Sequence, residues 1–131
     1  MRKELGVVAL VVSLALVLSG CASLQMGAKL NDQKLTTDAS VPVAHVNGGT
    51  WGIYFLGFAP IVTGDTAKPG NTAWGKDTVN VESVVDMVTA KSKELGGTRT
   101  TDLQSATSSV WLFPTLVLWV KSVEVSGNAL K

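Results

Sequence analysis

The sequence is poor in the residues that most often carry redox and metal chemistry. It contains one cysteine, Cys21, and one histidine, His45. A single cysteine cannot form an internal disulfide, and one histidine without cysteine partners does not make a zinc site. We therefore predict no disulfide, no metal site and no cofactor, and we expect His45 to be a packing or hydrogen-bonding residue of a strand.

Charged residues are also scarce. The chain has 11 Lys and Arg against 10 Asp and Glu, and loss of Arg2, Lys3 and Glu4 would leave cations and anions in equal numbers. A neutral domain lacks the electropositive surface that attracts nucleic acid. We therefore expect no nucleic-acid partner, and the 131 residues suffice for a single hydrophobic core.

The first 20 residues have the pattern of a signal peptide. Arg2 and Lys3 precede an apolar run over residues 5–18 that only Ser13 interrupts. As a helix this run would span about 21 Å at about 1.5 Å per residue, which is short of the roughly 30 Å of a bilayer core. A cleaved signal is therefore favoured over a permanent transmembrane helix.

The residues that follow the apolar run are Leu18, Ser19, Gly20 and Cys21. They resemble the lipobox of bacterial lipoproteins, in which an aliphatic and two small residues precede a cysteine. The resemblance implies signal-peptidase recognition of residues 18–20, cleavage before Cys21 and a lipid on the Cys21 thiol. In many such proteins an aspartate directly after the cysteine causes retention in the inner membrane. Because Ala22 stands at that position, the resemblance also implies the outer membrane, facing the periplasm. The alternative is a chance cysteine in an uncleaved hydrophobic helix.

The sequence predicts three segments: a cleaved signal peptide over residues 1–20, a lipidated N-terminus with a flexible tether over residues 21–40, and one α+β domain over residues 41–131. The tether is predicted from its polar composition.

The domain is predicted to have the order β-β-α-β-β. Residues 41–46 form a strand that a turn at Asn47, Gly48 and Gly49 closes, and residues 51–62 form a buried strand. Residues 64–76 are a surface loop. After the helix we expect a strand over residues 98–104, a polar turn over residues 105–109, and a second apolar run over residues 110–120 that bends at Pro114. Residues 121–125 continue it by alternating polar with apolar side chains, and residues 126–128 end it.

The helix is the clearest element and covers residues 81–95. Its apolar positions recur with helical spacing, at Val81, Val84, Val85, Val88, Ser92 and Leu95. Asn80 can cap the N-terminus, and Gly96 and Gly97 end the helix. A small, mostly antiparallel sheet with this one helix packed on one face would bury both elements.

No set of residues forms a recognisable catalytic site. A hydrolase would need His45 near Asp65 or Asp102 and a hydroxyl, and Asp102 is noteworthy because it interrupts a β-branched strand. The glycines at residues 48–52 lack the helix and the Lys-Ser/Thr ending of a phosphate-binding loop, so we interpret them as a hairpin turn. We expect a non-enzymatic protein.

Aromatic residues are the best candidates for a binding surface. Trp111, Phe113 and Trp119 lie in one apolar stretch, and they stay exposed if only one sheet face is covered. With Trp51 and Phe55 they define the predicted binding surface. The alternative, in which both faces are covered, makes them core residues.

Three segments resemble a group of small bacterial lipoproteins: residues 79–87, residues 95–103 and residues 123–129. A fainter similarity extends to the TRL-like lipoproteins and to periplasmic stress-sensing lipoproteins. The resemblance implies no activity. With the lipobox, it favours an envelope protein that contacts the membrane through Cys21 and acts as a protein-interaction, structural or sensing module. The alternative is a small-molecule or lipid-binding module with a pocket between helix and sheet, lined by Trp51, Phe55, Trp111 and Trp119.

Overall fold

The computed structural model describes residues 6–7, 22–27, 41–112, 114–115 and 117–131. From Ala22 onward the described elements follow one another along the chain as β1 (Ala22–Gly27), β2 (Pro42–Phe55), β3 (Ala59–Gly64), β4 (Thr72–Trp74), α1 (Val81–Glu94), β5 (Arg99–Trp111) and β6 (Leu118–Leu130). The predicted α+β class, a mostly antiparallel sheet with one helix, is confirmed. The observed order contains two more strands, β1 and β4, than the predicted β-β-α-β-β.

The long strands β2 and β6 form the centre of the sheet. The strand order is β4-β3-β2-β6-β5, and β1 pairs with β2 beside β3. All the pairs are antiparallel. Because β1 pairs with residues 45–50 of β2 and β3 with residues 52–55, the two short strands share one side of β2.

The core lies between α1 and one face of the sheet. Successive residues of a strand point to opposite faces, and on β2 the even-numbered residues 44–54 are buried while the odd-numbered ones are half-buried or exposed. We call the first side the helix face and the other side the open face. The buried core residues are Val46, Tyr54, Val79, Val84, Met87, Val88, Val123, Val125 and Ala129.

The predicted helix is confirmed over Val81–Glu94. The Asn80 side chain accepts a hydrogen bond from the backbone N–H of Ser83 at 2.8 Å, as a capping residue does. Gly96 adopts a positive φ of 87°, which glycine tolerates at the end of a helix. One predicted apolar position is wrong: Val81 is exposed, and Met87 is buried instead, because Met87 follows Val84 by three residues and so shares its face of the helix.

The predicted turn at residues 47–49 is wrong, because β2 runs straight through it. A Cβ atom on Gly48 would lie 2.7 Å from Val88 Cγ2, and one on Gly52 would lie 2.7 Å from Thr63 Cγ2. These glycines therefore let the helix and the neighbouring strand approach the backbone of β2 closely. The hairpin interpretation of residues 48–52 fails for the same reason.

The chain reverses later than predicted. Leu56 and Gly57 both have positive φ, and residues 56–58 form the turn between β2 and β3. The predicted single strand over residues 51–62 is therefore two strands. The predicted loop over residues 64–76 is present, but Thr72–Trp74 within it pairs with β3.

The predicted turn over residues 105–109 is also wrong. These residues belong to β5, which pairs with β6 from Gln104 to Trp111 without interruption. Both faces of this part of β5 are exposed, so serine and threonine are tolerated on both, and no apolar alternation marks the strand. Similarly, β6 does not end at residues 126–128 but continues to Leu130.

The first part of the predicted tether, residues 22–27, is strand β1. Its sequence alternates apolar Ala22, Leu24 and Met26 with Ser23, Gln25 and Gly27, which is a strand pattern that the polar composition of the segment conceals. Leu24 packs against the core cluster from the helix face. The rest of the predicted tether, residues 28–40, lies outside the described residues.

Candidate functional site

The predicted lipidation site adjoins a well-defined part of the fold. Cys21 and the residues of the predicted signal, Leu18, Ser19 and Gly20, lie outside the described residues. Ala22, which follows Cys21 directly, is buried and is the first residue of β1. Its carbonyl oxygen accepts a hydrogen bond from the Gly70 N–H at 3.1 Å. The chain is therefore held to the domain from the residue next to the predicted lipid.

The five aromatic residues of the predicted binding surface do not form one surface. Trp51 and Phe55 lie on the open face, since they alternate with the buried residues of β2. Trp111 pairs with Trp119 and Trp119 with Tyr54, which places both tryptophans on the helix face. Phe113 lies outside the described residues. The single aromatic surface is thus a wrong prediction, because strand register separates its members.

The open face is polar at the end where β2 begins. There His45 of β2 lies directly opposite Asn128 of β6, and His45 Nδ1 is 2.8 Å from Asn128 Oδ1. The amide Nδ2 of Asn128 donates to Asp102 Oδ2 at 3.0 Å. One buried amide therefore connects side chains of β2, β6 and β5, and Asn128 is only 6% exposed.

Asp102 reaches this amide because the backbone of β5 is irregular at that point. The pairing of β5 with β6 shifts between Thr101 and Gln104, and Asp102 has a φ of 54°, in the left-handed region. The Thr101 hydroxyl also donates to Asp102 Oδ2 at 3.2 Å. The interruption that the sequence indicated at Asp102 is thus a β-bulge that directs its carboxylate toward Asn128.

The arrangement differs from the one that a hydrolase would need. His45 Nδ1 lies against the neutral Asn128 Oδ1, which lacks the negative charge with which a carboxylate stabilises an imidazolium. The other candidate, Asp65, accepts hydrogen bonds from the N–H groups of Ala67 and Lys68 in its own loop. Within the described residues no group of three or more His, Cys, Asp or Glu side chains could hold a metal ion. The hydrogen-bonded chain His45–Asn128–Asp102 links side chains of three strands.

A groove of about 480 Å³ opens between β1, the loop after β3 and α1. It differs from the predicted pocket, which was expected to be lined by Trp51, Phe55, Trp111 and Trp119. Lys91 and Glu94 of α1 also line the groove and form an exposed ion pair at 2.8 Å. The apolar lining comes from Leu24, Met26, Pro69, Met87 and Ala90.

A second polar cluster lies on the helix face and involves the segment just before α1. The buried Tyr54 hydroxyl donates to Asp77 Oδ1 at 2.6 Å, and Lys121 Nζ lies 4.6 Å from the centre of the tyrosine ring. Burial, together with the hydrogen bond to Asp77, raises the pKa of Tyr54 far above its ordinary value. The hydroxyl stays protonated and fixes the segment before α1 to the sheet.

No protein-family model, curated protein or solved structure matches the chain. Among the residues that the structure describes, no helix has both the length and the apolar character that a membrane crossing requires.

Proposed function

We propose that this chain is a bacterial envelope lipoprotein, anchored by a lipid on Cys21, whose domain binds another envelope protein and has no catalytic role. The sequence at residues 18–21 supports the anchor, and Ala22 supports the outer membrane, facing the periplasm. The resemblance of residues 79–87, 95–103 and 123–129 to small bacterial lipoproteins agrees with the anchor.

The start of β1 at Ala22 is the observation that carries the proposal. A flexible 20-residue tether would let the domain move about 25 Å from its lipid. Because Ala22 is already paired with Thr50 and bonded to Gly70, a single peptide bond separates Cys21 from a residue of the sheet. A lipid at that position would hold the domain at the bilayer surface, where an envelope partner could be reached.

The anchor is tested by metabolic labelling with a palmitate analogue. The parent chain should incorporate the label and sediment with membranes, whereas Cys21→Ser should lose both the label and processing. Ser19→Ala, which keeps a small residue before the cysteine, is the matched control and should be labelled as the parent is. Label on Cys21→Ser, or an unchanged mature mass, would refute the proposal.

Phe55 on the open face is the point at which partner binding is best tested. Its side chain is 43% exposed, and a photo-crosslinking residue placed there should give a discrete adduct in intact cells. Phe58, which is more exposed but lies in the β2–β3 turn, is the control position. Adducts at neither position, or equal adducts at both, would count against the open face as the binding surface.

The groove beside α1 supports a second candidate, a small-molecule or lipid-binding module. Its Met26 and Met87 side chains are flexible and apolar, as in sites that accept varied ligands. Ala90→Trp would fill the groove and should abolish binding of an apolar fluorescent probe. Lys93→Trp adds the same bulk at an exposed position of α1 outside the groove, so it should leave that binding unchanged.

A further inference from the structure

Strand β5 is the long outer edge of the sheet. It pairs with β6 on one side, and no strand that the structure describes pairs with it on the other. Residues 102–112 are all exposed. An edge of this length presents outward N–H and C=O groups that another strand can bind.

The regular part of this edge, from Gln104 to Trp111, lacks the features that usually prevent such pairing. Natural edge strands are short, or they carry charged residues, proline or bulges. The opposite edge follows this rule, because β4 has three residues and is followed by Gly75 and Lys76. In β5 the bulge lies before the regular ladder, and residues 103–111 contain no charged residue and no proline. The composition of β5 therefore favours a paired edge.

We propose that β5 pairs antiparallel with β5 of a second copy of this chain, about a two-fold axis at Thr107. In this register Thr107 faces itself across the axis, and Leu103 faces Trp111 of the second copy. Leu103 is 46% exposed and Trp111 40%. The two-fold axis generates the contact between them twice, so the pairing covers both side chains of both copies.

The faces of the strand are compatible with this register. Leu103 lies against Gly127, with its Cδ2 atom 2.8 Å from where a Cβ would stand, and Gly127 pairs with the buried Val46. Trp111 pairs with Trp119, which is on the same face as Tyr54. Both therefore lie on the helix face, as a directly opposed cross-strand pair requires.

The open face of β5 is self-complementary in the same register. Gln104 faces Val110, whose side chain is 60% exposed, and Ala106 faces Ser108 of the second copy. No like charges oppose each other at any position of residues 103–111, and every group near the axis is small. The sequence of β5 is therefore compatible with pairing to itself in this register. For this reason we propose a second copy of the chain as the partner of this edge.

Single cysteines test the two-fold axis in the full chain in native membranes. Thr107→Cys should give a disulfide-linked dimer on mild oxidation, because directly opposed Cβ atoms lie about 4.5–5.5 Å apart. Ser105→Cys, on the same face, is the matched control. Its copies would be separated by about 14 Å along the strand and should not be linked. The parent chain, with Cys21 alone, gives the blank.

Charge pairs test the register by a different measurement. Gln104→Lys combined with Val110→Glu should preserve the dimer, since each lysine would oppose a glutamate. Gln104→Lys combined with Val110→Lys should weaken dimerisation by at least about tenfold, because the same pairs become repulsive. The mass of the detergent-solubilised chain, measured by light scattering, distinguishes monomer from dimer. Neither position opposes a charged residue within one chain.

A Thr107→Cys dimer together with this charge dependence would establish the pairing. A monomeric parent chain, a stronger cross-link at Ser105 than at Thr107, or cross-links only to a protein of different mass would each overturn it. The pairing uses no residue of the first 40, so loss of the lipid anchor and loss of the dimer are separate results.

Discussion

His45 and Asn128 are joined side chain to side chain across the two central strands, with His45 Nδ1 and Asn128 Oδ1 2.8 Å apart. The Asn128 amide is buried, and its nitrogen donates a hydrogen bond to Asp102 on the next strand. The one histidine of the sequence thus has the hydrogen-bonding role that we expected, and its partner is an asparagine that the sequence did not distinguish.

We predict that Asn128→Ala destabilises the fold by about 1–3 kcal/mol, because it removes the hydrogen bonds with His45 and Asp102 and leaves a gap at a buried position. His45→Ala should cost less, since His45 is exposed. In a double-mutant cycle, urea unfolding should give a coupling of about 0.5–1.5 kcal/mol between the two residues. Additive effects would show that the contact contributes nothing.

We predict that the free energy of unfolding decreases in alkali because of Tyr54. Its pKa in the folded protein is raised, so the unfolded chain loses the proton near the ordinary value of 10.0 while the folded chain keeps it. The stabilising effect is therefore complete below pH 10.0 and declines as the pH rises above that value toward the folded pKa. Because Tyr54 is the only tyrosine, near-ultraviolet absorbance of tyrosinate reports on this residue alone.

Tyr54→Phe is the matched variant. It should lower the free energy of unfolding by about 2 kcal/mol at neutral pH, through loss of the hydrogen bond to Asp77. It should also remove the part of the alkaline decline that belongs to the tyrosine. The same decline in parent and variant would show that other groups cause it.

Gly48→Ala should destabilise the domain by about 1–3 kcal/mol, because the added methyl would overlap with Val88 Cγ2 on the buried face of α1. The nearby Met87 Cε could move aside, but the branched valine cannot. Gly27→Ala is the control: no atom lies within 4 Å of the position that its Cβ would take. Thermal unfolding of the two variants gives the comparison, and equal melting temperatures would contradict the close packing of α1 on β2.

Leu24→Asp should release β1 from the sheet, since a carboxylate would replace an apolar side chain packed against the core. Limited proteolysis should then cut within residues 22–27 while leaving the rest of the domain intact. Gln25→Asp places the same charge on the exposed side of the strand and should remain resistant. Equal resistance of both variants would mean that Leu24 does not hold the strand.

The helix was predictable because its signals are local. Helical spacing, the Asn80 cap and the Gly96 ending all act within the segment itself. The lengths of the long strands were not, because they depend on pairing. From the sequence alone Gly48 and Ser105 indicate turns. Both lie in strands because of residues distant in sequence: Val88 packs closely on Gly48, and Val125 pairs with Ser105. The aromatic surface failed for the same reason, since register alone decides that Trp51 and Trp119 lie on different faces.

The positions of β1 and β5 determine how a lipid-anchored dimer would be oriented on the membrane. They lie on opposite sides of the β2–β6 pair, so a dimer joined along β5 would carry its two predicted anchors at its outer margins, about 34 Å apart at the usual strand spacing. A two-fold axis perpendicular to the sheet would coincide with the membrane normal. Two lipids at opposite margins would then hold both copies at the bilayer surface and restrain the dimer from tilting about its axis.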